Sequence, residues 1–154
     1  MKKRLKRFQN LSFEEKKEVL DWRNHSEIRK WMYDKNEISL EKHLNFIENM
    51  PKNRIYLKVD DLGVINFKIL NDKVELGIHK NPNKQKVGKI LLDIAIKYAF
   101  DELKTKKIIL YVFEDNIKAI NLYKKFNFME VDKKDNIIKM ELIRNGELKM
   151  ENGE

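Results

Sequence analysis

The segment from residue 108 to residue 128 constrains the fold of this chain more than any other. It begins with the run IILYVF, which is rich in the β-branched and aromatic residues that favour a buried strand. Asn116 then stands at a candidate N-cap position of a short helix, and Tyr123 lies about two turns into that helix. The segment therefore predicts a strand followed closely by a helix, whose tyrosine lies either in the core or at a functional site.

A β-hairpin is predicted by two runs of alternating residues, 65–69 and 74–78, with a turn at residues 71–72 between them. In this register Ile69 faces Val74, and one side of the hairpin is wholly apolar. The other side carries Asn66, Lys68, Glu75, Gly77 and His79. A slip of one residue would mix the two sides, so the pattern specifies the register strongly.

Helix signals lie on both sides of this hairpin. Ser12 and Glu15 form a capping box that predicts a helix to about Trp22, and Ser39 opens a second helix that ends before Pro51. A longer helix follows the hairpin. Its single apolar stripe is predicted to consist of Val87, Ile90, Leu91, Ile94 and Tyr98.

The order of elements indicates an α/β (α+β) chain. Further strands are predicted at residues 56–59, 128–131 and 137–143. Helices first, then β-β-β-α-β-α-β-β, describe a mixed sheet with helices on both faces. The 154 residues suit a single domain, in which residues 144–154 form a loose tail or the last arm of a hairpin.

Composition excludes several classes of site. The chain has no Cys, so disulfides, thiolate metal sites and a cysteine nucleophile are excluded. The three histidines lack metal-ligand spacing, and no metal is expected. Lys and Arg outnumber Asp and Glu by 33 to 25, but they are spread along the chain. We therefore expect a solvated surface or a basic cleft for an acidic small molecule, and no nucleic-acid partner.

The location follows from what the sequence lacks. No apolar run approaches the roughly 18 residues of a membrane span, and no apolar signal core follows the basic start. We expect a cytoplasmic protein without a membrane partner, either a monomer or a homodimer.

A second functional signal lies at residues 83–92, where a helix begins soon after the hairpin. The free backbone amides and the positive dipole at a helix start suit a pyrophosphate. Gly88 would let the phosphate approach the backbone closely. Taken alone, this segment also fits an ordinary helix start.

The two signals together resemble the GCN5-related N-acetyltransferases (GNAT). The motif N-x-x-A-x-x-L-Y-x-x-x-x-F ends at Phe128, and a strand separates it from the Gly88 helix start, as in that family. Two positions depart from the family pattern, since Lys86 stands at a usual glycine and Asn83 at a usual Arg or Gln. The resemblance implies the GNAT fold, with a mostly antiparallel sheet of about seven strands, and acetyl-CoA as co-substrate.

The resemblance also implies roles for individual residues. Backbone groups of Leu76, Gly77 and Ile78 would pair with the pantetheine arm. Amides of Val87, Gly88 and Lys89 would hold the pyrophosphate, and Asn116 would contact the pantetheine region. Tyr123 would face the sulfur and protonate the departing thiolate.

The N-terminal half resembles one branch of this family. The motifs W-R-N at 22–24, W-M-Y at 31–33 and H-L-x-F-I at 43–47 are those of enzymes that acetylate UDP-4-amino-4,6-dideoxy-N-acetyl-β-L-altrosamine in pseudaminic acid biosynthesis. The implied substrate is a nucleotide-sugar, acetylated at its 4-amino group. Its implied contacts are Arg23, Trp31, Met32, His43, Asn66 and His79. For Arg23, a planar charged fork suits a diphosphate, although an ion pair with Glu27 fits as well.

Glu75 and His79 are the candidate general bases that would deprotonate the acceptor amine, directly or through water. Glu75 could instead form a cross-strand ion pair with Lys68. Because no Cys can carry the acyl group, direct transfer from the thioester is expected. Two other functions remain open: acetylation of a protein N-terminal amine, and a non-catalytic module that binds nucleotide or nucleic acid.

Overall fold

The computed structural model describes residues 4–144. Its strands are β1 (Leu5–Arg7), β2 (Arg54–Val59), β3 (Gly63–Ile69), β4 (Lys73–Lys80), β5 (Lys107–Phe113), β6 (Met129–Lys134) and β7 (Ile137–Ile143). They form a seven-stranded sheet with the order β1-β2-β3-β4-β5-β7-β6. The β4–β5 pair is parallel, whereas β1–β2, β5–β7 and β6–β7 are antiparallel.

Three of the helices begin where the capping residues predict. The helices are α1 (Phe13–Asn24), α2 (Ser26–Arg29), α3 (Leu40–Glu48), α4 (Gly88–Lys97) and α5 (Ile117–Lys125). The capping box of Ser12 and Glu15 is complete, and the side chains of Ser39 and Asn116 accept hydrogen bonds from backbone N–H groups in the first turns of α3 and α5. These three predictions are confirmed.

The chain forms two compact units, and we describe each by itself. One comprises the residues up to Phe67 together with Gly77–Leu92. Its core cluster consists of Phe8, Leu11, Val19, Trp22, Ile47 and Val64. At its edge β1 pairs with β2, with Leu5 opposite Val59. Because α1 and α3 contribute buried side chains to this cluster, they hold the N-terminal half in place.

The other unit comprises Lys68–Leu76 and the chain from Asp93 onwards. Here β5 pairs with β7 along its whole length, and the start of β4 pairs with β5. Fully buried side chains include Val74, Ile108, Leu110 and Met140. The hairpin turn is closed by a 2.9 Å hydrogen bond from Leu70 N to Lys73 O, which bears out the predicted two-residue turn.

Three features differ from the sequence expectations. The described chain opens with the short strand β1 before any helix. Ile90 is 39% exposed and does not belong to a buried stripe. Strand β6 extends to Lys134, so the turn before β7 is shorter than expected. The expected tail lies, from residue 145 onwards, outside the described residues, and single-domain organisation stays an expectation. Within residues 4–144, no helix is long and apolar enough to cross a membrane.

Candidate active site

Arg23, near the end of α1, is fixed by the segment that follows α2. Its Nη2 donates to the Asp34 carbonyl at 2.8 Å. Next to it, the Asn24 side chain donates to and accepts from the backbone of Ile38, both at 2.8 Å. Arg23 Nη1 is buried and has no hydrogen-bond partner among the described residues. The alternative ion pair between Arg23 and Glu27 is not found among the described residues. Glu27 instead pairs with Lys30 at 3.0 Å.

His79, in β4, lies beside this arginine. Its Nε2 is buried and, within residues 4–144, has no hydrogen-bond partner. Burial, and then the charge of Arg23, lower the pKa of His79 to about 4. Burial also lowers the pKa of Arg23, and Arg29 adds to the effect, although arginine remains charged at neutral pH. The site therefore combines a neutral imidazole with a permanent cation.

Two further residues were not predicted and connect to Arg23 through Tyr56, which is among the groups that act electrostatically on it. Arg54 and Tyr56 alternate with the buried Ile55 and Leu57 along β2. Arg54 Nη2 donates to the Tyr56 hydroxyl at 2.9 Å, while Arg54 Nε is buried without a partner in the described chain. The pattern R-x-Y, in which the two polar residues alternate with apolar ones along the strand, is the signal that could have revealed them. We call Arg23, Arg54, Tyr56 and His79 the basic cluster.

Asn66 and Gly77 face each other across β3 and β4. A Cβ atom at Gly77 would lie 2.7 Å from Asn66 Nδ2, so the Asn66 amide occupies the space that a side chain would fill. This contact agrees with the predicted hairpin register. On the same principle, Gly63 lets β3 approach β4 closely. A Cβ atom there would lie 2.6 Å from the His79 carbonyl oxygen and 2.8 Å from Leu91.

The start of α4 has the geometry expected of an anion site. Val87 is buried and its carbonyl accepts from Leu91 N at 2.9 Å, so α4 begins at Gly88 with free amides. Lys86 has a φ of 59°, a left-handed conformation that favours glycine. This explains why glycine is usual at this position in the family pattern. The lysine keeps the same turn and adds a positive charge before the helix.

Tyr123, in α5, is half-buried among its neighbours in the second unit. Its ring lies 5.8 Å from the ring of Phe128, centroid to centroid, and its carbonyl accepts from Phe128 N at 3.1 Å. Burial raises the pKa of Tyr123 to about 12. Among the described residues its hydroxyl has no hydrogen-bond partner. The phenol therefore stays protonated far above neutral pH and keeps a proton to donate.

The remaining predicted residues divide into two groups. Glu75 is half-buried, and no ion pair joins it to Lys68 in the described part of the chain. Trp31 and Met32 are half-buried in the segment anchored by Arg23 and Asn24. His43, in contrast, is 8% exposed, and its Nε2 lies 2.9 Å from the Lys16 carbonyl. It also packs against Phe8, so its ring joins α3 to α1, and its contact with the substrate stays a prediction.

Stability should depend on pH through His79. Unfolded His79 takes up a proton near pH 6.5, whereas in the folded chain the pKa is about 4. We therefore expect the free energy of unfolding to fall as pH is lowered through this window, by at most about 3 kcal/mol. Urea unfolding at several pH values measures this slope.

A matched pair of variants isolates the contribution of His79. His79→Gln should flatten the slope, whereas the exposed His25→Gln should keep it. His43, whose pKa burial also lowers, will leave a residual slope of the same sign. An unchanged slope in His79→Gln would contradict the assignment of a neutral, buried imidazole.

Comparison with known proteins identifies the family of this chain. The Acetyltransferase (GNAT) family matches residues 16–128. Acetyltransferase PseH of Campylobacter jejuni subsp. jejuni, in two strains, is 37% identical over 136 residues, which is 84% of this chain and 86% of that protein.

Solved structures give the same result. The crystal structure of Campylobacter jejuni N-acetyltransferase PseH has a TM-score of 0.78 at 31% identity, covering 92% of this chain and 98% of its own. That of PseH in complex with acetyl coenzyme A has a TM-score of 0.79 at 30% identity, covering 93% and 99%. Spermidine N-acetyltransferase from Vibrio cholerae, at 18% identity and a TM-score of 0.77, shares the fold over 95% of this chain and 98% of its own. The chain thus belongs to the acetyltransferase (GNAT) family.

Proposed function

We propose that this chain is an acetyl-CoA-dependent N-acetyltransferase of pseudaminic acid biosynthesis. Its acceptor is the 4-amino group of UDP-4-amino-4,6-dideoxy-N-acetyl-β-L-altrosamine. The observation that carries the proposal is the buried Nη1 of Arg23, which has no partner within residues 4–144 and belongs to a side chain fixed by the bond from Nη2 to Asp34. A buried guanidinium nitrogen without an acceptor is costly unless a ligand supplies one, and the diphosphate of a UDP-sugar does so. The 37% identity to Acetyltransferase PseH supports an acetyl transfer.

The cofactor residues keep the roles that the resemblance implies. Amides of Val87, Gly88 and Lys89 hold the pyrophosphate of acetyl-CoA, and the positive charge of Lys86 adds to the attraction. Leu76, Gly77 and Ile78 follow the residues of β4 that pair with β5, and their backbone groups serve the pantetheine arm. Asn116, which caps α5 through Ala119 N at 3.4 Å, borders that arm. The acetyl-CoA complex of PseH supports this cofactor.

The transfer is direct. The amine nitrogen forms a bond to the thioester carbonyl carbon, the carbon–sulfur bond breaks, and the amine loses a proton while the sulfur gains one. Tyr123 supplies the proton to the sulfur. A free thiol has a pKa of about 8.5, well below that of Tyr123, but a thiolate in the same apolar surroundings is also destabilised. Tyr123 therefore stabilises the leaving group chiefly in the transition state.

Glu75 is the better candidate for the general base. His79, with a pKa of about 4, is a weak base near neutral pH, although its neutral ring can still contact the sugar. The Glu75 carboxylate, which forms no ion pair with another described residue, can accept the amine proton directly or through water. Asn66 and the segment containing Trp31 and Met32 complete the acceptor side. A cytoplasmic monomer or homodimer remains our expectation.

Arg23→Ala tests the acceptor. Losing a charge-assisted contact should raise KM for the UDP-amino-sugar about 10–100-fold and leave KM for acetyl-CoA little changed. Steady-state assays that follow free thiol release measure both constants. Because Arg23 also anchors the segment through Asp34, Asn24→Ala is the matched control. It loosens the same segment without removing a charge, and an equal effect there would contradict a direct phosphate contact.

The acceptor class is tested by competition. Acetyl-CoA is offered with the 4-amino UDP-sugar or with a panel of N-terminal peptides, and free UDP is added to each reaction. The proposed function predicts turnover of the sugar and inhibition by UDP. Turnover of peptides alone, without inhibition by UDP, would transfer the function to protein N-terminal acetylation and leave the family assignment intact.

A further inference from the structure

Arg54 is held in one orientation by its neighbours on β2. One guanidinium nitrogen, Nη2, donates to the Tyr56 hydroxyl at 2.9 Å, and the guanidinium carbon lies 5.5 Å from the centre of the Tyr56 ring. Another nitrogen, Nε, is buried and lacks an acceptor within residues 4–144. Arg23 has the same arrangement, with Nη2 bound to Asp34 and Nη1 buried without a partner in the described chain. Two arginines of the same unit thus each donate from one nitrogen and keep a second, buried nitrogen whose hydrogen-bonding capacity is unsatisfied among residues 4–144.

Tyr56 is itself fixed by the core. Its ring packs against Phe8 with a centroid distance of 5.3 Å, and against Phe46 with a centroid distance of 5.2 Å in an edge-on geometry. Such aromatic packing leaves the phenol little freedom. A guanidinium bound to a fixed phenol loses less conformational entropy when a ligand arrives than a free side chain does. The sequence R-x-Y therefore places a preorganised cation on β2.

Arg54 is linked through Tyr56 to the rest of the basic cluster. Tyr56 is among the groups that act electrostatically on Arg23, and Arg23 acts in turn on His79. We propose that Arg54 is a second direct contact to the diphosphate of the acceptor, alongside Arg23, and that Tyr56 is its positioning residue. This inference rests on the proposed function and adds two residues to the acceptor side.

The chemistry of the cluster favours a nucleoside diphosphate over a singly charged ligand. Two guanidinium groups, each with one nitrogen that lacks an acceptor in the described chain, are stabilised best by a group with several anionic oxygens. The diphosphate has two phosphoryl groups, so each can accept from one of these nitrogens, Arg23 Nη1 or Arg54 Nε. The N–H of a neutral His79 imidazole can donate a further hydrogen bond without adding charge.

Titration calorimetry with UDP tests the proposal without catalysis. Arg54→Met keeps the side-chain length but removes the charge, and should weaken UDP binding about 10–100-fold. Arg54→Lys keeps the charge but loses the planar fork of donors. Its UDP affinity should therefore lie between those of Arg54→Met and the unmodified chain. Tyr56→Phe removes only the phenol hydroxyl, and should weaken binding by less than Arg54→Met. Removing one cation should also make UDP binding less dependent on salt in Arg54→Met, but not in Tyr56→Phe.

Arg7→Met, at an exposed position of β1, is the matched control for losing a positive charge from the same unit. Circular dichroism and the affinity for acetyl-CoA report on folding in each variant. UDP affinity in Arg54→Met and Arg54→Lys equal to that of the unmodified chain would overturn the inference and leave the proposed function standing. An equal loss of acetyl-CoA affinity would also overturn it. UDP binding that depends on Arg54, without turnover of the UDP-amino-sugar, would support the inference while contradicting the proposed acceptor.

Discussion

Tyr123→Phe is expected to lower kcat by about 10²–10⁴-fold and to leave the affinity for acetyl-CoA nearly unchanged, because it deletes a proton donor and keeps the ring. The ring packs against Phe128, and phenylalanine preserves that contact. The loss should appear in single-turnover experiments, where the chemical step is observed directly. Titration calorimetry measures the affinity for acetyl-CoA.

The control is Tyr111→Phe, because Tyr111 is 40% exposed on β5 of the same unit. It should retain the kcat of the unmodified enzyme. A Tyr123→Phe enzyme that turns over at the normal rate while chemistry is limiting would remove Tyr123 from the mechanism. The pKa of about 12 adds a second check, since activity should not decline through ionisation of Tyr123 near pH 10, the ordinary value for tyrosine.

Gly88→Asp is expected to weaken acetyl-CoA binding by at least about 100-fold, because a carboxylate would stand where backbone amides meet the pyrophosphate. The fold should survive, since an acidic residue in the first turn of a helix interacts favourably with the helix dipole. The loss would thus arise from repulsion of the ligand. Calorimetry with acetyl-CoA, together with the circular dichroism spectrum, separates affinity from folding.

Gly88→Ala is the matched control for this substitution. It adds a methyl group without a charge, so its effect measures how closely the phosphate approaches the backbone. A folded Gly88→Asp variant with unaltered affinity would show that the pyrophosphate binds elsewhere. UDP binding should be retained in both variants, because the basic cluster does not include α4.

Much of the fold could be predicted because local signals agreed with the final structure. Ser12, Ser39 and Asn116 each cap a helix with their own side chains, and such capping depends only on nearby residues. Strand β1 could not be predicted in this way. Its three residues have no alternating pattern, and it exists because Leu5 to Arg7 pair with β2, which is distant in sequence.

The site was predictable where side-chain chemistry is marked by a motif. Tyr123 and Gly88 belong to recognisable patterns, and both occur where those patterns place them, at the second turn of α5 and the first of α4. Their roles in binding and catalysis stay predictions. The contact of His43 with the Lys16 carbonyl could not be predicted from a motif, because it depends on how α3 packs against α1. Arg54 was missed because a charged residue at the start of a strand is ordinarily solvated.

Gly63 has a consequence for attempts to change what the enzyme accepts. Gly63 is not among the predicted contacts of the substrate or the cofactor. Yet a Cβ atom at this position would lie 2.6 Å from the carbonyl oxygen of His79. Any larger residue at Gly63 must therefore displace the strand that carries His79, or Leu91 behind it. The position of the His79 imidazole therefore depends on Gly63 in β3 as well as on the residues that line the site. A mutant library confined to ligand contacts would leave out a position that helps to set where that side chain lies.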